Sequence, residues 1–252
     1  MLDFTGQVVI VTGAGSPKGI GRVIARTFAK QGAQLIIADM NKEGTDETVQ
    51  IIQKEGGKAD GFVLNVTDKE SIDTMVDYVM KKYGRLDVLV NNAGISQKVT
   101  VADMTLEDME RIFKVNMFGL FLVTQACMKP MIAAKYGRIV NLSSVSAKRG
   151  GGIFGGAHYS AAKAGVLAFS KNLSREISKY GVTINSVCPG LINTEIWKSL
   201  PQTDVDKILS DIPMQRPGET QEVADTIVFL ASKEASYITG EEIDINGGSH
   251  MD

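Results

Sequence analysis

Two side chains four positions apart, Tyr159 and Lys163, have the types and the spacing for acid–base chemistry. On a helix, residues four apart lie on one face, one turn from each other. A nearby ammonium favours the phenolate and so lowers a tyrosine pKa from its ordinary value of about 10. Lowering this pKa by about 3 requires roughly 4 kcal/mol, more than an exposed ion pair provides, so a second positive charge or burial beside a cofactor would have to assist. The same spacing also occurs on solvated helix faces, and the rest of the chain must decide between these interpretations.

The helix that would position this pair is predicted from Ala157 to Tyr180, in a chain where short apolar runs alternate with longer helical patterns. Further helices are predicted at Gly19–Gln31, after the second strand as a polar helix ending near Gly56-Gly57, from a cap at Thr67-Asp68 to Tyr83, at Leu106–Ala134 and at Glu219–Ser232. The predicted strands are Val8–Thr12, Leu35–Ala38, Ala59–Leu64, Leu86–Val90, Arg138–Leu142, Thr183–Val187 and Glu242–Ile245. Nearly continuous apolar strands between helices are typical of a parallel sheet covered on both faces. We therefore predict an α/β fold with about seven strands, in one doubly wound domain spanning residues 1–252.

The composition is that of an ordinary globular protein and excludes several classes of function. Of 252 residues, 44% are hydrophobic and 22% charged, and the net charge of −2 gives no basic surface for nucleic acid. Cys127 and Cys188 lie in apolar surroundings without the spacing of metal ligands, so we interpret both as core thiols of a reducing compartment and predict no metal site. No basic segment leads into an apolar one near Met1, and no apolar run is taken as a membrane span. We expect a soluble, cytoplasmic protein.

A glycine-rich turn, Thr12-Gly13-Ala14-Gly15-Ser16-Pro17-Lys18-Gly19-Ile20-Gly21, lies between the first predicted strand and the first predicted helix. Glycines permit a tight turn and a close backbone approach, and the unpaired N–H groups of the following helix can bind a pyrophosphate. A plain βα turn is the alternative, but the strand before it and the helix after it favour dinucleotide binding. The predicted contacts are Gly13, Ser16, Lys18, Gly19 and Ile20.

The residue at the end of the second predicted strand, Asp39, bears on the choice of cofactor. A carboxylate there can accept the ribose hydroxyls of adenosine and repels the 2′-phosphate of NADP. Lys18 could instead pair with that phosphate, although it could equally meet the pyrophosphate or solvent. Because a like-charge contact is costly, we expect Asp39 to dominate. The sequence predicts NAD, with NADP less favoured, and places Asp39 and Met40 beside the adenosine.

Several further motifs follow in a fixed order along the chain: Asn91-Asn92-Ala93-Gly94 after the fourth strand, Asn116 in the long helix, Ser143-Ser144 after the fifth strand, and Pro189-Gly190 after the sixth. With the glycine-rich turn and Tyr159-x-x-x-Lys163, this set covers essentially the whole chain and resembles the short-chain dehydrogenase/reductase family. The resemblance implies a Rossmann-type sheet and hydride transfer between a nicotinamide and a carbonyl or an alcohol.

The resemblance also implies roles for individual residues. Tyr159 would be the general acid/base, and Lys163 would hold the nicotinamide ribose and lower the tyrosine pKa, helped by the positive charge of the oxidised nicotinamide. Ser144 would hydrogen-bond the substrate oxygen, and Asn116 would help hold a water for proton relay. The further cofactor contacts implied are Asn65 and Val66 at the adenine, Asn92, Ala93 and Gly94 from the adenosine ribose toward the nicotinamide, and Pro189, Gly190, Ile192 and Thr194 leading to the carboxamide. The Asn-Gly and Pro-Gly pairs could alternatively be simple turns.

Three features depart from the family pattern. Pro17-Lys18 lengthens the glycine-rich turn, so the sequence does not determine which backbone amides reach the phosphates. Position 65 is Asn where the family commonly has Asp, although an amide can still face the adenine edge. Ser144 lies 15 positions before Tyr159, and Ser146 lies 13 positions before it, so two serines compete for the role of hydrogen-bonding the substrate. We favour Ser144, because the glycines that follow can absorb extra length in a loop.

The substrate is predicted from the least constrained parts of the chain. A lid is expected around residues 192–216, including Trp197. Lys148, Arg149 and His158 cluster near the catalytic residues in sequence and could bind an anionic group, or could form a solvated loop or a subunit contact. Gln97 could hydrogen-bond a substrate hydroxyl, and Ser146 could assist. This polar, glycine-rich setting predicts an NAD-dependent dehydrogenase of a sugar or polyol, neutral or anionic.

Two alternatives to this function stay open at the level of sequence. A 3-oxoacyl-thioester reductase would be marked by a preference for NADPH and by a basic surface for a carrier protein. Asp39 argues against the preference for NADPH. A non-catalytic dinucleotide-binding sensor would be free to lose the catalytic set, yet all four residues are present. The resemblance implies a homotetramer that packs through the long helices. The small residues Gly119, Ala126 and Ala133-Ala134 would allow close packing between subunits, or they could instead face the sheet.

Overall fold

Seven parallel strands form one sheet in the order β3-β2-β1-β4-β5-β6-β7 in a computed structural model that describes residues 2–151, 155–194 and 202–251. The strands are β1 Val8–Thr12, β2 Gln34–Asp39, β3 Lys58–Val63, β4 Val88–Asn91, β5 Gly137–Leu142, β6 Val182–Pro189 and β7 Glu242–Ile245. All pairs are parallel. The order reverses between β1 and β4, which is where doubly wound sheets bind ligands.

Nine helices connect the strands within the described residues. They are α1 Ile20–Lys30, α2 Lys42–Lys54, α3 Lys69–Tyr83, α4 Leu106–Phe113, α5 Leu120–Ala134, α6 Ser146–Arg149, α7 Ala157–Ile177, α8 Gln202–Ser210 and α9 Thr220–Leu230. A π-helical turn, Lys114–Gly119, joins α4 to α5, and a 3₁₀ turn, Ser178–Tyr180, ends α7. The predicted α/β Rossmann-type fold is confirmed.

Two apolar layers cover the two faces of the sheet because successive strand residues point to opposite sides. Val9 and Val11 face a layer that contains Phe28 of α1 and residues of α9. Ile10 faces the other layer, formed with α3, α5 and α7. The central strands β1 and β4 are buried on both faces and are almost entirely apolar, which is the pattern that predicted a parallel sheet.

The long predicted helix Leu106–Ala134 runs without a break, but its hydrogen-bonding pattern changes in the middle. Thr105 and Asp108 form a capping box at its start, and the π-helical turn interrupts the α-helical hydrogen bonding in its middle. Among the described residues it is the helix whose length and composition would allow it to cross a membrane, contrary to our expectation that no such run exists. Core helices of soluble proteins share this property, and here Val123, Cys127 and Met131 are buried against the sheet.

Most predicted boundaries differ from the observed ones by one or two residues, and two helices were not predicted at all. The helix α6 immediately follows Ser144, and α8 lies inside the stretch predicted as a lid. Both are short and lie in loops at the carboxyl edge of the sheet. The lid itself stays a prediction, because residues 195–201, including Trp197, lie outside the described residues.

Candidate active site

A cavity of about 610 Å³ opens at the carboxyl ends of β1, β4, β5 and β6. All four predicted catalytic residues line it: Asn116, Ser144, Tyr159 and Lys163. Most predicted cofactor contacts line it as well: Gly13, Ser16, Lys18, Gly19, Ile20, Asp39, Asn92, Ala93, Gly94, Pro189, Gly190, Ile192 and Thr194. Residues that are far apart in sequence therefore meet at one edge because parallel strands end there together.

The glycine-rich turn forms one wall and is pinned against the end of β4. Gly13 has φ +68°, and a Cβ added to it would lie 2.7 Å from the Cα of Ala93. The Asn92 side-chain amide donates to the carbonyls of Thr12 at 2.9 Å and of Gly13 at 2.8 Å. Helix α1 begins at Ile20, after Gly19, with no side-chain cap on its first N–H groups. This cradle fits the pyrophosphate of a dinucleotide, which needs close backbone approach and open amides.

Asp39 at the end of β2 is held by two backbone amides. Its Oδ2 accepts from Gly15 N and its Oδ1 from Asn41 N, each at 2.9 Å. These two hydrogen bonds fix the carboxylate at the cavity wall and attach it to the glycine-rich turn. Any ligand phosphate placed here would meet an oriented negative charge.

Arg22 supports the same turn through residues of α2, and no sequence motif had singled it out. Its Nε donates to Thr48 Oγ1 at 2.9 Å and its Nη2 to Glu47 Oε2 at 2.7 Å. Thr48 in turn donates to the Ala14 carbonyl at 2.9 Å. A signal existed in the sequence: Arg22 precedes the buried Ala25 by three positions, so a charged group falls on the apolar face of α1.

The serine pair after β5 joins the sheet to α7. Ser143 Oγ donates to the carbonyl of Lys163 at 2.9 Å, which holds α7 against the strand end. Ser144 lines the cavity beside Tyr159, where its hydroxyl acts to lower the tyrosine pKa and accepts from Ser146 N at 3.1 Å. Ser146 also lines the cavity, but Ser144 is the serine in contact with the phenol.

Burial governs the pKa values of Tyr159 and Lys163 when no cofactor is bound. Burial raises the pKa of Tyr159, and the hydrogen bond from Ser144 only partly opposes this. Burial lowers the pKa of Lys163 to about 8. Lys163 Nζ donates to the Leu142 carbonyl at 2.7 Å and lies 5.9 Å from the Tyr159 ring centroid. Desolvation therefore dominates both groups when no cofactor is bound. The predicted lowering of the tyrosine pKa requires the second positive charge of an oxidised nicotinamide, and it stays a prediction for the cofactor-bound state.

Asn116 lies in the π-helical turn and closes the site from the side of α4. Its Nδ2 donates to the Ile95 carbonyl at 2.8 Å, and its Oδ1 accepts from Ile95 N at 3.2 Å. A Cβ on Gly94 would lie 2.7 Å from this Oδ1 and 3.5 Å from Lys163 Nζ. Only glycine leaves room for the chain to pass between Asn116 and Lys163.

Three predicted adenosine contacts do not lie on the cavity wall. The Met40 side chain is exposed, and Val66 is buried beneath Gly119. Asn65 Oδ1 accepts from both the N–H and the hydroxyl of Thr67, at 3.0 and 2.9 Å, so its side chain shapes the turn before α3.

The predicted substrate residues divide in the same way. Arg149 and Ser146 line the cavity, whereas Lys148, His158 and Gln97 do not. Lys148 is buried beside β7, 3.2 Å from Asp244 and 3.5 Å from Glu242. His158 is fully buried and contacts Gln97 at 3.2 Å. These three polar groups are thus engaged inside the protein.

Part of the wall comes from residues that the sequence analysis did not single out. Ile208, Asp211 and Ile212, from α8 and the turn after it, line the cavity together with Ser249 near the C-terminus. Ile208 and Ile212 are four positions apart, a spacing that places two residues on the same side of a helical segment. This spacing could have indicated from the sequence that both face the cavity. Nothing local in the sequence indicates that Ser249 returns to the site.

This fold and site define a class of protein. A switch-point cavity with a glycine-rich cradle, lined also by Ser144, Tyr159 and the buried Lys163, fits a nicotinamide dinucleotide and a carbonyl or alcohol. The chain belongs to the short-chain dehydrogenase/reductase family and is an oxidoreductase acting on a CH–OH group. Residues 13–250 match a family model described as enoyl-(acyl carrier protein) reductase.

Relatives and solved structures are similar over nearly the whole chain. The 3-oxoacyl-[acyl-carrier-protein] reductase FabG of Thermotoga maritima is 43% identical over 96% of this chain and 97% of its own length. Its counterpart from Escherichia coli K12 is 39% identical over 99% of this chain and 100% of its own. A crystal structure of 3-oxoacyl-[acyl-carrier protein] reductase from Brucella melitensis superposes with a TM-score of 0.93 at 32% identity, covering 99% and 93% of the two chains. The crystal structure of gox2181 gives 0.94 at 32% identity, covering 98% and 96%.

These relatives overturn the predicted sugar or polyol substrate. Several full-length relatives, 37% to 43% identical, are 3-oxoacyl-[acyl-carrier-protein] reductases. The prediction relied on Gln97 to bind a hydroxyl and on Lys148, Arg149 and His158 to bind an anionic group. Arg149 lines the cavity, but Gln97, Lys148 and His158 do not. The structure gives the physical reason for the error, since all three are engaged in internal contacts away from the cavity wall.

Proposed function

We propose that this chain reduces a 3-oxoacyl thioester to the 3-hydroxyacyl thioester with a reduced nicotinamide cofactor. The observation that carries the proposal is a half-buried Tyr159 beside Ser144, with its pKa raised by burial, in a chain similar along its length to 3-oxoacyl-[acyl-carrier-protein] reductases. Reduction requires a proton donor at the carbonyl oxygen. A phenol whose pKa burial raises keeps its proton at neutral pH and is ready for that role.

The chain's own residues divide the work around the carbonyl. When bound, the reduced nicotinamide supplies the hydride that reaches the carbonyl carbon. Ser144 donates a hydrogen bond to the carbonyl oxygen, and the Tyr159 hydroxyl transfers its proton to the same oxygen as negative charge develops there. Lys163 holds the cofactor ribose, and Asn116 orders the segment at Ile95 and the path by which Tyr159 regains a proton.

We further propose that the cofactor is NADH rather than NADPH. Support comes from Asp39, whose carboxylate is fixed at the cavity wall by the amides of Gly15 and Asn41. An oriented negative charge there disfavours a 2′-phosphate. Lys18 lines the same cavity and would sit nearer the pyrophosphate under this proposal.

The test is a steady-state assay with acetoacetyl-CoA as the thioester and NADH or NADPH, following loss of reduced nicotinamide by absorbance. We expect turnover that depends on the 3-oxo group and is abolished in Tyr159→Phe. Simple ketones without the thioester serve as the comparison. An enzyme that reduces those ketones and leaves the thioester untouched would contradict the proposed substrate class.

We also propose a homotetramer and a cytoplasmic location. Phe118 and Phe121, beside and within α5, are 55% and 38% exposed, which suits an interface, whereas Gly119 and Ala126 face inward. Cys127 and Cys188 are free, buried thiols, in keeping with a reducing compartment. Light scattering after size exclusion measures the assembly, and a monomer at micromolar concentration would contradict it.

A further inference from the structure

The side chain of Gln97 connects three elements that surround the reacting groups. It lies three positions after Gly94, in the segment whose Ile95 and Ser96 line the cavity, but it points away from that cavity. Its Nε2 donates to Asp108 Oδ1 of α4 at 2.7 Å, and its Oε1 accepts from Arg111 Nη2 of α4 at 2.7 Å. The same Oε1 lies 3.2 Å from His158 Nε2 in the first turn of α7.

The chemistry of these partners leaves one orientation for the amide. A carboxylate only accepts hydrogen bonds and a guanidinium only donates them, so the amide nitrogen must face Asp108 and the oxygen must face Arg111. His158 Nε2 meets this oxygen and must therefore carry the proton. Its Nδ1 is buried and has no hydrogen-bond partner among the described residues. Within the described part of the chain, the contact with Gln97 is therefore the hydrogen bond that orients the imidazole.

The backbone of Gln97 reinforces the connection to α7. Its carbonyl accepts from Gly156 N at 2.8 Å, and the Gly156 carbonyl accepts from the N–H groups of Tyr159 and Ser160. The first turn of the helix that carries Tyr159 is therefore held to residue 97 twice, through Gly156 and through His158. On the other side, Asn116 holds the neighbouring Ile95 by both its N–H and its carbonyl.

We propose that Gln97 is a positioning residue that sets Tyr159 relative to the cavity through His158. It does not touch substrate; it holds the start of α7 in register with α4 and the π-helical turn that bears Asn116. Proton transfer depends steeply on donor position, and a misplacement of about 1 Å can lower a rate by about a hundredfold. The inference deepens the proposed function and rests on it for the role of Tyr159 alone.

Four variants test it. Gln97→Met and His158→Phe keep the volume and remove the polar contact, their double variant measures coupling, and His158→Gln restores a donor to Gln97. Lys98→Met, an exposed neighbour, is the matched control. We expect Gln97→Met and His158→Phe each to lower kcat for acetoacetyl-CoA reduction by about tenfold to a hundredfold, with the nicotinamide Kd unchanged. The double variant should be no slower than the slower single variant, and His158→Gln should recover most of the rate.

Two further readouts separate positioning from simple loss of structure. The deuterium isotope effect on kcat with 4-deuterated reduced nicotinamide should rise in Gln97→Met, because hydride transfer becomes slower. Hydrogen exchange of the Tyr159 and Ser160 amides should accelerate in free Gln97→Met and not in Lys98→Met. If kcat and exchange are unchanged while Tyr159→Phe is inactive, the positioning role falls and the proposed function stands. If exchange accelerates and no thioester is reduced by the wild type, the connection stands and the proposed function falls.

Discussion

The Gly15 amide donates to the Asp39 carboxylate at 2.9 Å, so the glycine-rich turn and the end of β2 are one unit. The acid that we propose to discriminate between the cofactors is therefore also a structural partner of the glycine-rich turn. Changing Asp39 alters charge and loop geometry together, and the two effects can be separated by the choice of substitution.

We expect Asp39→Asn to lower the Michaelis constant for NADPH by roughly tenfold or more, because it removes a charge that repels the 2′-phosphate. One carbonyl oxygen remains, and it can still accept from Gly15. Asp39→Ala removes both acceptors and should in addition weaken NADH binding. Glu43→Gln removes a nearby exposed charge and serves as the control. Michaelis constants for both cofactors decide the matter, and a wild type that already prefers NADPH would show that Asp39 does not select the cofactor.

Tyr159→Phe should retain the fold and the cofactor affinity but lose about 10²- to 10⁴-fold in kcat, because the proton donor alone is removed. Fluorescence titration with reduced nicotinamide and steady-state rates measure the two properties. Turnover at the wild-type rate would show that another group protonates the carbonyl oxygen.

The two candidate serines should behave differently. Ser144→Ala removes the hydroxyl that contacts Tyr159 and should lower kcat by about 10²- to 10³-fold, as loss of one donor to a developing oxyanion does. Ser146→Ala keeps the backbone N–H that donates to Ser144 and should change kcat only a fewfold. The reverse ranking in single-turnover rates would transfer the role to Ser146.

The buried ammonium of Lys163 predicts a pH dependence of stability. Its pKa in the native state is lowered to about 8 from 10.5, so between these values the unfolded chain binds more protons than the native one. The contribution of this group to the free energy of unfolding therefore rises with pH across that window, by up to about 3 kcal/mol. Urea unfolding of the cofactor-free protein from pH 7.5 to 9.5 would reveal the rise. Lys163→Met should remove it, and an identical pH slope in that variant would assign the effect to other groups.

Lys148 is expected to matter for stability rather than for substrate binding. With 6% of its side chain exposed, it lies near two carboxylates of β7, and Lys148→Met would leave Asp244 poorly compensated. Breaking a buried ion pair typically costs about 3–5 kcal/mol. Urea unfolding of Lys148→Met should show a loss of this order, whereas Arg149→Met, in an exposed neighbour, should lose much less. Equal losses would indicate that the ion pair contributes little.

The sequence by itself determined the sheet, the glycine-rich cradle and the identity of the four central polar residues. These features follow from local patterns: apolar runs such as Val8–Thr12 are buried on both faces of a sheet, and the glycines between strand and helix permit backbone geometry that other residues resist. Because parallel strands end at one edge, Ser144, Tyr159 and Lys163 could be expected to meet there.

Only the tertiary structure decided which other polar groups face the cavity and in which ionisation state the pair is held. Lys148 and His158 stand near Ser144 and Tyr159 in sequence, but Lys148 pairs with Glu242 and Asp244 of β7. His158 contacts Gln97, which in turn binds Asp108 and Arg111 of α4. Sequence proximity cannot report such pairing across elements, and the substrate predicted from it was wrong. The tyrosine pKa likewise depends on desolvation, a property of the whole packed environment, which no spacing between two residues encodes.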